Sequence, residues 1–354
     1  MFLKCKPTVF VIDNEYEILI YAKQNGLFSV VIGNERYYPE HSGVLDSEKP
    51  FARIRIPQTP LNEAKKYTVC YRETVKRQAY FSQFKDEETQ EFAFRPLEKT
   101  DDIRIYHIAD VHYLFEDAIK TCDYFGDDLD FLIVNGDIGE VETEENYFDV
   151  IRFVGEISRG EIPTLFVRGN HDTRGKLAER YTDYFPANGK NTYFTFELGA
   201  LCGVVFDCGE DKVDEQIEYG GSNAFEPFRR RQTAWLKRVE LPKGKIPFAV
   251  GHIIPVQTTR HAGDPFDIER DIYTEWNAQF ERLGVKLMLC GHIHDAYILQ
   301  ENDARSLIKH NYPVVVGSKQ RNGELWGTAI TIKNGEIRIC FTDKNREVKE
   351  SYIL

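Results

Sequence analysis

What this chain of 354 residues lacks removes several classes of protein at once. Its seven cysteines, an odd number, run from Cys5 to Cys340 without a Cys-x-x-Cys pair. That excludes a disulfide framework and suits a reducing compartment, so a cytoplasmic location is expected. No apolar run approaches the roughly 20 residues of a spanning helix. At the N-terminus, MFLKCKPTVFVIDNEYEIL, charge interrupts the chain before a signal-type apolar core forms. The expectation is a soluble, unprocessed protein with no membrane partner. Basic residues are outnumbered, 45 against 57, for a net charge of −12. Nucleic acid or anionic lipid needs a continuous basic face, so neither is an expected partner. An anionic substrate must be attracted locally, as bound cations would do. There is no internal repeat, no low-complexity tract, and no serine or cysteine motif that would mark a covalent nucleophile.

The length calls for two domains, or one large α/β domain with an attachment. Up to about residue 95, short runs rich in Val, Ile, Tyr and Phe at 8–12, 16–22, 27–32, 52–56, 67–73 and 91–94 alternate with turn signals such as Asn25-Gly26 and Gly33-Asn34. These read as an N-terminal all-β sandwich spanning 1–96. The polar segment from Arg95 to Asp102 then marks a boundary, and 97–354 forms a second domain. From Ile103 onward, strands at 103–108, 131–134, 164–167, 248–250 and 287–290 alternate with helical patterns at 144–158, 175–184, 229–239 and 271–283. This alternation predicts a layered α/β domain. Apolar runs at 314–316, 329–332 and 336–341 close the chain, the last two joined by Asn334-Gly335.

Each of those five α/β strands delivers a motif at its C-terminal end, where open α/β sheets bind ligands. The motifs are Asp110-Val111-His112, Gly136-Asp137, Gly169-Asn170-His171-Asp172, Gly251-His252 and Gly291-His292-Ile293-His294. They take five of the nine histidines, leaving His41, His107, His261 and His310. Carboxylate, carboxamide and imidazole groups are common ligands of first-row divalent ions. A carboxylate such as Asp137 can serve two ions at once, and the preceding glycine permits close backbone approach. His107 lies inside a strand and reads as a core histidine.

Taken together and in this order, the motifs resemble the calcineurin-like metallophosphoesterase superfamily over about residues 103 to 317. The resemblance implies a four-layer α/β/β/α catalytic domain and two divalent metal ions. It places Asp110, His112, Asp137 and His294 on one ion, and Asp137, Asn170, His252 and His292 on the other, with Asp137 as the bridge. His171 would contact the phosphate and protonate or stabilise the leaving oxygen, with Asp172 orienting it. Two ions about 3.5–4 Å apart can clamp a phosphate and acidify a shared water, so the implied reaction is hydrolysis of a phosphate ester by in-line attack of hydroxide.

The two-domain layout is similar to that of purple acid phosphatases. Two departures set the chain apart from them: position 112 is His where they use a spacer-and-glycine arrangement after the first aspartate, and Glu140 stands where their tyrosine ligand would be. No charge-transfer colour is therefore expected, and manganese, ferrous iron or zinc are the candidate metals. The substrate is read as a small phosphate ester. Monoester and diester hydrolysis both stay open, with a cyclic nucleotide as one diester reading, and a catalytically inert metal-binding scaffold for a protein partner is the alternative from another class. Arg260, His261 and Tyr113 are candidate substrate contacts. The stretch from Asp207 to Pro227 reads as a long insertion at the same rim, and Arg229-Arg230-Arg231 as the charged first turn of a surface helix.

Overall fold

The computed structural model describes residues 1–256, 264–318, 320–321 and 323–354. Two sheets lie face to face at its centre. In the ten-stranded sheet the neighbours run Val348–Ile353, Glu336–Asp343, Glu324–Lys333, Ile103–Ile108, Phe131–Asn135, Pro163–Val167, Thr8–Ile12, Glu15–Tyr21 and Phe51–Pro57, with Gln320–Arg321 beside Glu324–Lys333. The six-stranded sheet runs Phe194–Leu198, Leu201–Val205, Ile246–Val250, Leu287–Cys290, Val314–Val316 and Tyr297–Leu299.

The central strands are apolar on both sides because both faces are covered. Ile103, Ile105, Phe131 and Ile133 point into the core between the sheets, where they meet Phe248, Leu287 and Leu289. The alternate residues Tyr106, Ile108, Leu132 and Val134 point the other way, onto the helices Phe115–Cys122 and Glu144–Ser158. Behind the second sheet, Val204, Ala249 and Met288 pack on the helices Phe225–Leu236 and Arg270–Arg282 through Leu236, Trp276 and Phe280. The layers are thus helix, sheet, sheet, helix. Among the described residues no helix is long and apolar enough to cross a membrane.

The N-terminal region is β-rich, with the single short helix Gln58–Ala64. Its strands divide between two sheets. Gly26–Ile32, Glu35–Tyr37, Lys66–Lys76, Gln83–Phe84 and Glu88–Ala93 form a five-stranded sheet of their own. Thr8–Ile12 instead pairs in parallel with Pro163–Val167, and Glu15–Tyr21 and Phe51–Pro57 follow it outward. A boundary at residue 96 therefore does not interrupt the central sheet, because the first strand of the chain covers an edge that the later strands leave open.

Helix Glu144–Ser158 begins where its sequence says it should. Thr143 and Asn146 form a reciprocal capping box, and Arg159 closes the helix in a left-handed conformation. The helix expected over 175–184 is absent as a continuous element. Gly175 has φ 98°, and the Leu177 carbonyl accepts the Tyr147 hydroxyl while its N–H goes to the Val141 carbonyl. Only a short turn, Ala178–Arg180, and one helical turn, Tyr181–Tyr184, remain. The helix expected from residue 229 begins earlier, at Phe225, because Asp214 accepts the N–H groups of Phe225 and Glu226 at 2.8 and 2.9 Å. Arg229 is accordingly not a surface residue. It is fully buried, bonded to Glu269 and to the Cys208 and Glu210 carbonyls.

Candidate metal centre

Three adjacent strands of the first sheet and two of the second end at one place, and their loops carry the five motifs. The loops turn sharply. Asp110, His112, Asp137, His292 and His294 all have positive φ, between 43° and 73°. Left-handed backbone costs an L-residue roughly 1–2 kcal/mol, and Asp and His bear it better than β-branched residues. Five such residues at one site show backbone bent to aim side chains at a common point. Gly136 and Gly169 bring two of the loops into contact. A Cβ on Gly136 would sit 2.5 Å from the Gly169 Cα, and one on Gly169 would sit 2.1 Å from the Asp137 Oδ1.

The side chains fall into overlapping groups. Asp110, His112 and His294 bring one ligand atom each into one cluster, and Asp137, His252 and His292 do so in another. In the first, the Nε2 atoms of His112 and His294 are 3.2 Å apart and His294 Nε2 is 3.4 Å from Asp110 Oδ1. In the second, His252 Nε2 is 3.1 Å from Asp137 Oδ2 and His292 Nδ1 is 3.0 Å from Asn170 Oδ1. Asp137 lies between them, with Oδ2 3.9 Å from His112 Nε2. His171 Nε2 is 4.0 Å from the same oxygen, and its ring stands edge-on to His112.

The electrostatics call for positive charge. Asp110 and Asp137 are both buried, at 0 % and 1 % exposure. Burial pushes the Asp110 carboxyl up to about 8, against the pull of His252. Burial also opposes ionisation of Asp137, but His252 and its neighbouring imidazoles outweigh it and hold that carboxyl below the usual range. Burial likewise opposes charge on His252, yet Asp137 and Asp110 raise its imidazole to about 10. A protonated histidine here does the work of a cation. His112, lowered to about 4 by burial, and His294, lowered likewise, stay neutral with lone pairs free to bind one.

Asn170 gives a second test of fit. With its amide nitrogen turned inward it would donate to Asp137 Oδ2 at 3.2 Å and His292 Nδ1 at 3.0 Å. With the oxygen there, acceptor atoms converge on acceptor atoms, an arrangement that a cation satisfies. Two carboxylates, one carboxamide and four imidazoles make a donor set suited to first-row divalent metals.

Residues behind the ligands orient them. His252 Nδ1 bonds the Asn135 carbonyl at 2.7 Å, which fixes the tautomer that leaves Nε2 facing Asp137. The Asn135 amide spans the two sheets, donating to the Gly251 carbonyl at 3.1 Å and meeting His107 Nε2 at 3.0 Å. His107 is thus the core histidine its strand position suggests. Asp172 is not placed to orient the His171 ring. Its Oδ2 accepts the N–H groups of Gly169 at 2.7 Å and Asp137 at 3.2 Å, so it ties loop to loop. Tyr113 is 39 % exposed, and its hydroxyl accepts the Glu140 N–H at 2.8 Å. Arg260 and His261 lie outside the described residues.

The sequence reading missed Asn135 and Asp211. Asn135 ends an otherwise apolar strand, and that polar intrusion was its one signal. Asp211 belongs to the insertion. Its Oδ2 lies 3.7 Å from His292 Nε2, on the ring edge opposite Asn170. Beside it, the buried Glu210 receives Arg174 through Nε and Nη2, at 2.7 and 2.6 Å, and also Thr173 and Tyr219.

Comparison with known proteins follows the same lines. None of the curated proteins compared with the chain matches it. Among solved structures, a purple acid phosphatase from yellow lupin (Lupinus luteus) superposes with a TM-score of 0.62 at 10% identity, covering 98% of this chain and 73% of its own. PhoD superposes with a TM-score of 0.57 at 9% identity, covering 99% of this chain and 88% of its own. At these identities the likeness concerns the fold. The calcineurin-like phosphoesterase family model matches residues 103–296, more than half of the chain and all five motif loops, and the protein belongs to that family of metal-dependent phosphoesterases.

Proposed function

We propose that this protein hydrolyses small phosphate esters at a dinuclear metal centre. The observation that carries the reading is the meeting of two ligand groups, Asp110 with His112 and His294, and Asp137 with His252 and His292, around the buried carboxylate of Asp137. One divalent ion would be held by Asp110, His112, Asp137 and His294, the other by Asp137, Asn170, His252 and His292. When bound, such ions offset phosphate charge and acidify water.

The chain's own groups supply the rest. In the net reaction the bond from phosphorus to the organic oxygen breaks, water provides the new oxygen on phosphorus, and one water proton ends on the leaving oxygen. In this reading His171 delivers that proton. Its ring is 37% exposed while the neighbouring ligand carboxylates are buried. Its backbone N–H donates to Asp137 Oδ1 at 2.9 Å, which fixes where the ring starts. No covalent intermediate is needed. The seven cysteines are all free thiols, six of them buried, which supports a reducing compartment such as the cytoplasm.

The test is elemental analysis of the purified protein together with hydrolysis of p-nitrophenyl phosphate and its bis ester under added manganese, iron or zinc. About two metals per chain and turnover of one ester are expected. Metal without turnover of either ester would favour an inert scaffold, and neither metal nor turnover would overturn the proposal.

A further inference from the structure

A cleft of about 560 Å³ opens directly beside the metal centre, within the range of small-molecule sites. The link between the two is Arg174. It lines the cleft, and its Nη2 stands 3.2 Å from the outward amide atom of Asn170. The far wall is formed by the insertion and the helix that follows it, through Tyr219, Phe225, Phe228 and Arg231. Nothing in the chemistry of the metal ligands requires this wall.

Its polar groups are built in an unusual way. Arg168 is nearly buried, with 12% of its side chain exposed. Its Nε bonds Asp207 at 2.8 Å, and its guanidinium lies 5.5 to 5.7 Å from the ring centres of Tyr181, Phe225 and Phe228. Both Nη groups are left without a hydrogen-bond acceptor among the described residues, on a residue that lines the cleft. Arg174 is likewise clamped along one edge by Glu210 and, more loosely, Asp211, with Nη1 unspent among the described residues. Arg231 is exposed, rests over the Phe228 ring at 5.9 Å and has no carboxylate partner among the described residues. Acids on the wall are mostly answered: Glu210 by Arg174 and Glu218 by Lys212. Glu179, also on the wall, has no basic partner among the described residues, and Lys190 is turned to Thr182 and Asp183. Guanidinium groups anchored on one edge and open on the other suit oxyanions with several acceptor oxygens. Aromatic faces beside them suit a planar ring.

We propose that this cleft binds the non-reacting part of the substrate, and that this part carries a planar ring and a second phosphate, as in a nucleoside bisphosphate. The inference rests on the phosphoesterase reading above and adds a substrate class to it. The reacting phosphate sits at the metal centre, the second phosphate meets Arg174, Arg168 and Arg231, and the ring lies along the half-buried Phe225.

The experiment compares kcat/KM of the manganese-loaded protein for adenosine 3′,5′-bisphosphate, adenosine 3′-monophosphate and p-nitrophenyl phosphate, in the parent and in Arg231→Gln. Arg231 is a surface residue, so the variant should fold. The parent should favour the bisphosphate over the monophosphate by at least ~10-fold, on the scale of one charge-assisted contact, and Arg231→Gln should cut that ratio at least ~5-fold, mainly through KM. Turnover of p-nitrophenyl phosphate with no preference for the bisphosphate, or a ratio unmoved in Arg231→Gln, would overturn the cleft assignment and leave the phosphoesterase reading intact. If nothing is hydrolysed, calorimetric titration of the chelator-treated protein with adenosine 3′,5′-bisphosphate decides. Binding that weakens in Arg231→Gln would support the cleft without the reaction, and no binding would overturn it.

Discussion

Asp172 reaches from its own motif into another, its Oδ2 accepting the backbone N–H of Asp137 at 3.2 Å as well as that of Gly169 at 2.7 Å. The carboxyl is buried, and burial, followed by the charge of Asp137, raises it to about 7. Such a group is held for its acceptor oxygen rather than for proton transfer to substrate. Removing it by Asp172→Ala strands two buried donors, each worth about 1–3 kcal/mol, and frees Asp137 to move. The expected result is lower stability and lost metal in Asp172→Ala, with both largely kept in Asp172→Asn, whose amide oxygen can still accept. Urea unfolding and elemental analysis on the two variants check this. Full metal content in Asp172→Ala would contradict the role.

Gly169 makes the same point through space rather than bonding. A methyl there would stand 2.1 Å from Asp137 Oδ1 and 2.5 Å from its nitrogen. Gly169→Ala should therefore displace the shared carboxylate and abolish metal-stimulated hydrolysis, although the substitution adds one carbon. Activity within a factor of two of the parent, measured with p-nitrophenyl phosphate, would show that the loop yields.

The metal motifs were legible in the sequence because each combines a chemically distinctive residue with a glycine and a preceding apolar strand. Long amphipathic elements such as Glu144–Ser158 were legible for a similar reason, since cap and period agree. What failed was non-local. The 175–184 helix gave way to tertiary contacts of Leu177 with Tyr147 and Val141. The start of Phe225–Leu236 depends on Asp214, eleven residues away. Asp211 and Arg168 acquire meaning only once the insertion folds back on His292 and on Phe228. The first strand looked like part of a separate sandwich because its pattern carries no record of its parallel partner.

That parallel partner yields a further prediction. Glu17 is 3% exposed at its side chain and bonds both Arg53 and Arg55, while those arginines reach the carbonyls of Thr182 and Ala187. The first strands are thus stitched into the catalytic layer. Glu17→Ala removes the carboxylate the two arginines share, and since both are partly exposed and keep carbonyl partners it should cost about 1–3 kcal/mol. A chain beginning at residue 97 should fail to give soluble protein, because Pro163–Val167 would present an unpaired edge. A soluble fragment from residue 97 with parent-like turnover would refute this.

His107 supplies a pH dependence that can be separated from metal binding. It is fully buried in the first sheet, and burial, with a smaller contribution from His252, lowers its imidazole to about 3. An unfolded histidine titrates near 6.5. As pH falls below that value the unfolded chain takes up a proton that the folded chain refuses until about pH 3. The contribution of His107 to stability is therefore fully present above pH 6.5 and declines by up to ~1.4 kcal/mol per pH unit below it. Every other titrating group is common to the parent and to His107→Gln, so the difference between their unfolding free energies isolates this one. In urea titrations at pH 7, 6, 5 and 4.5 the parent should lose its advantage progressively from pH 6 downward. A difference that does not change with pH would mean that His107 titrates alike in the folded and unfolded chains, and an advantage that grows as pH falls from 7 would mean that the fold holds it protonated.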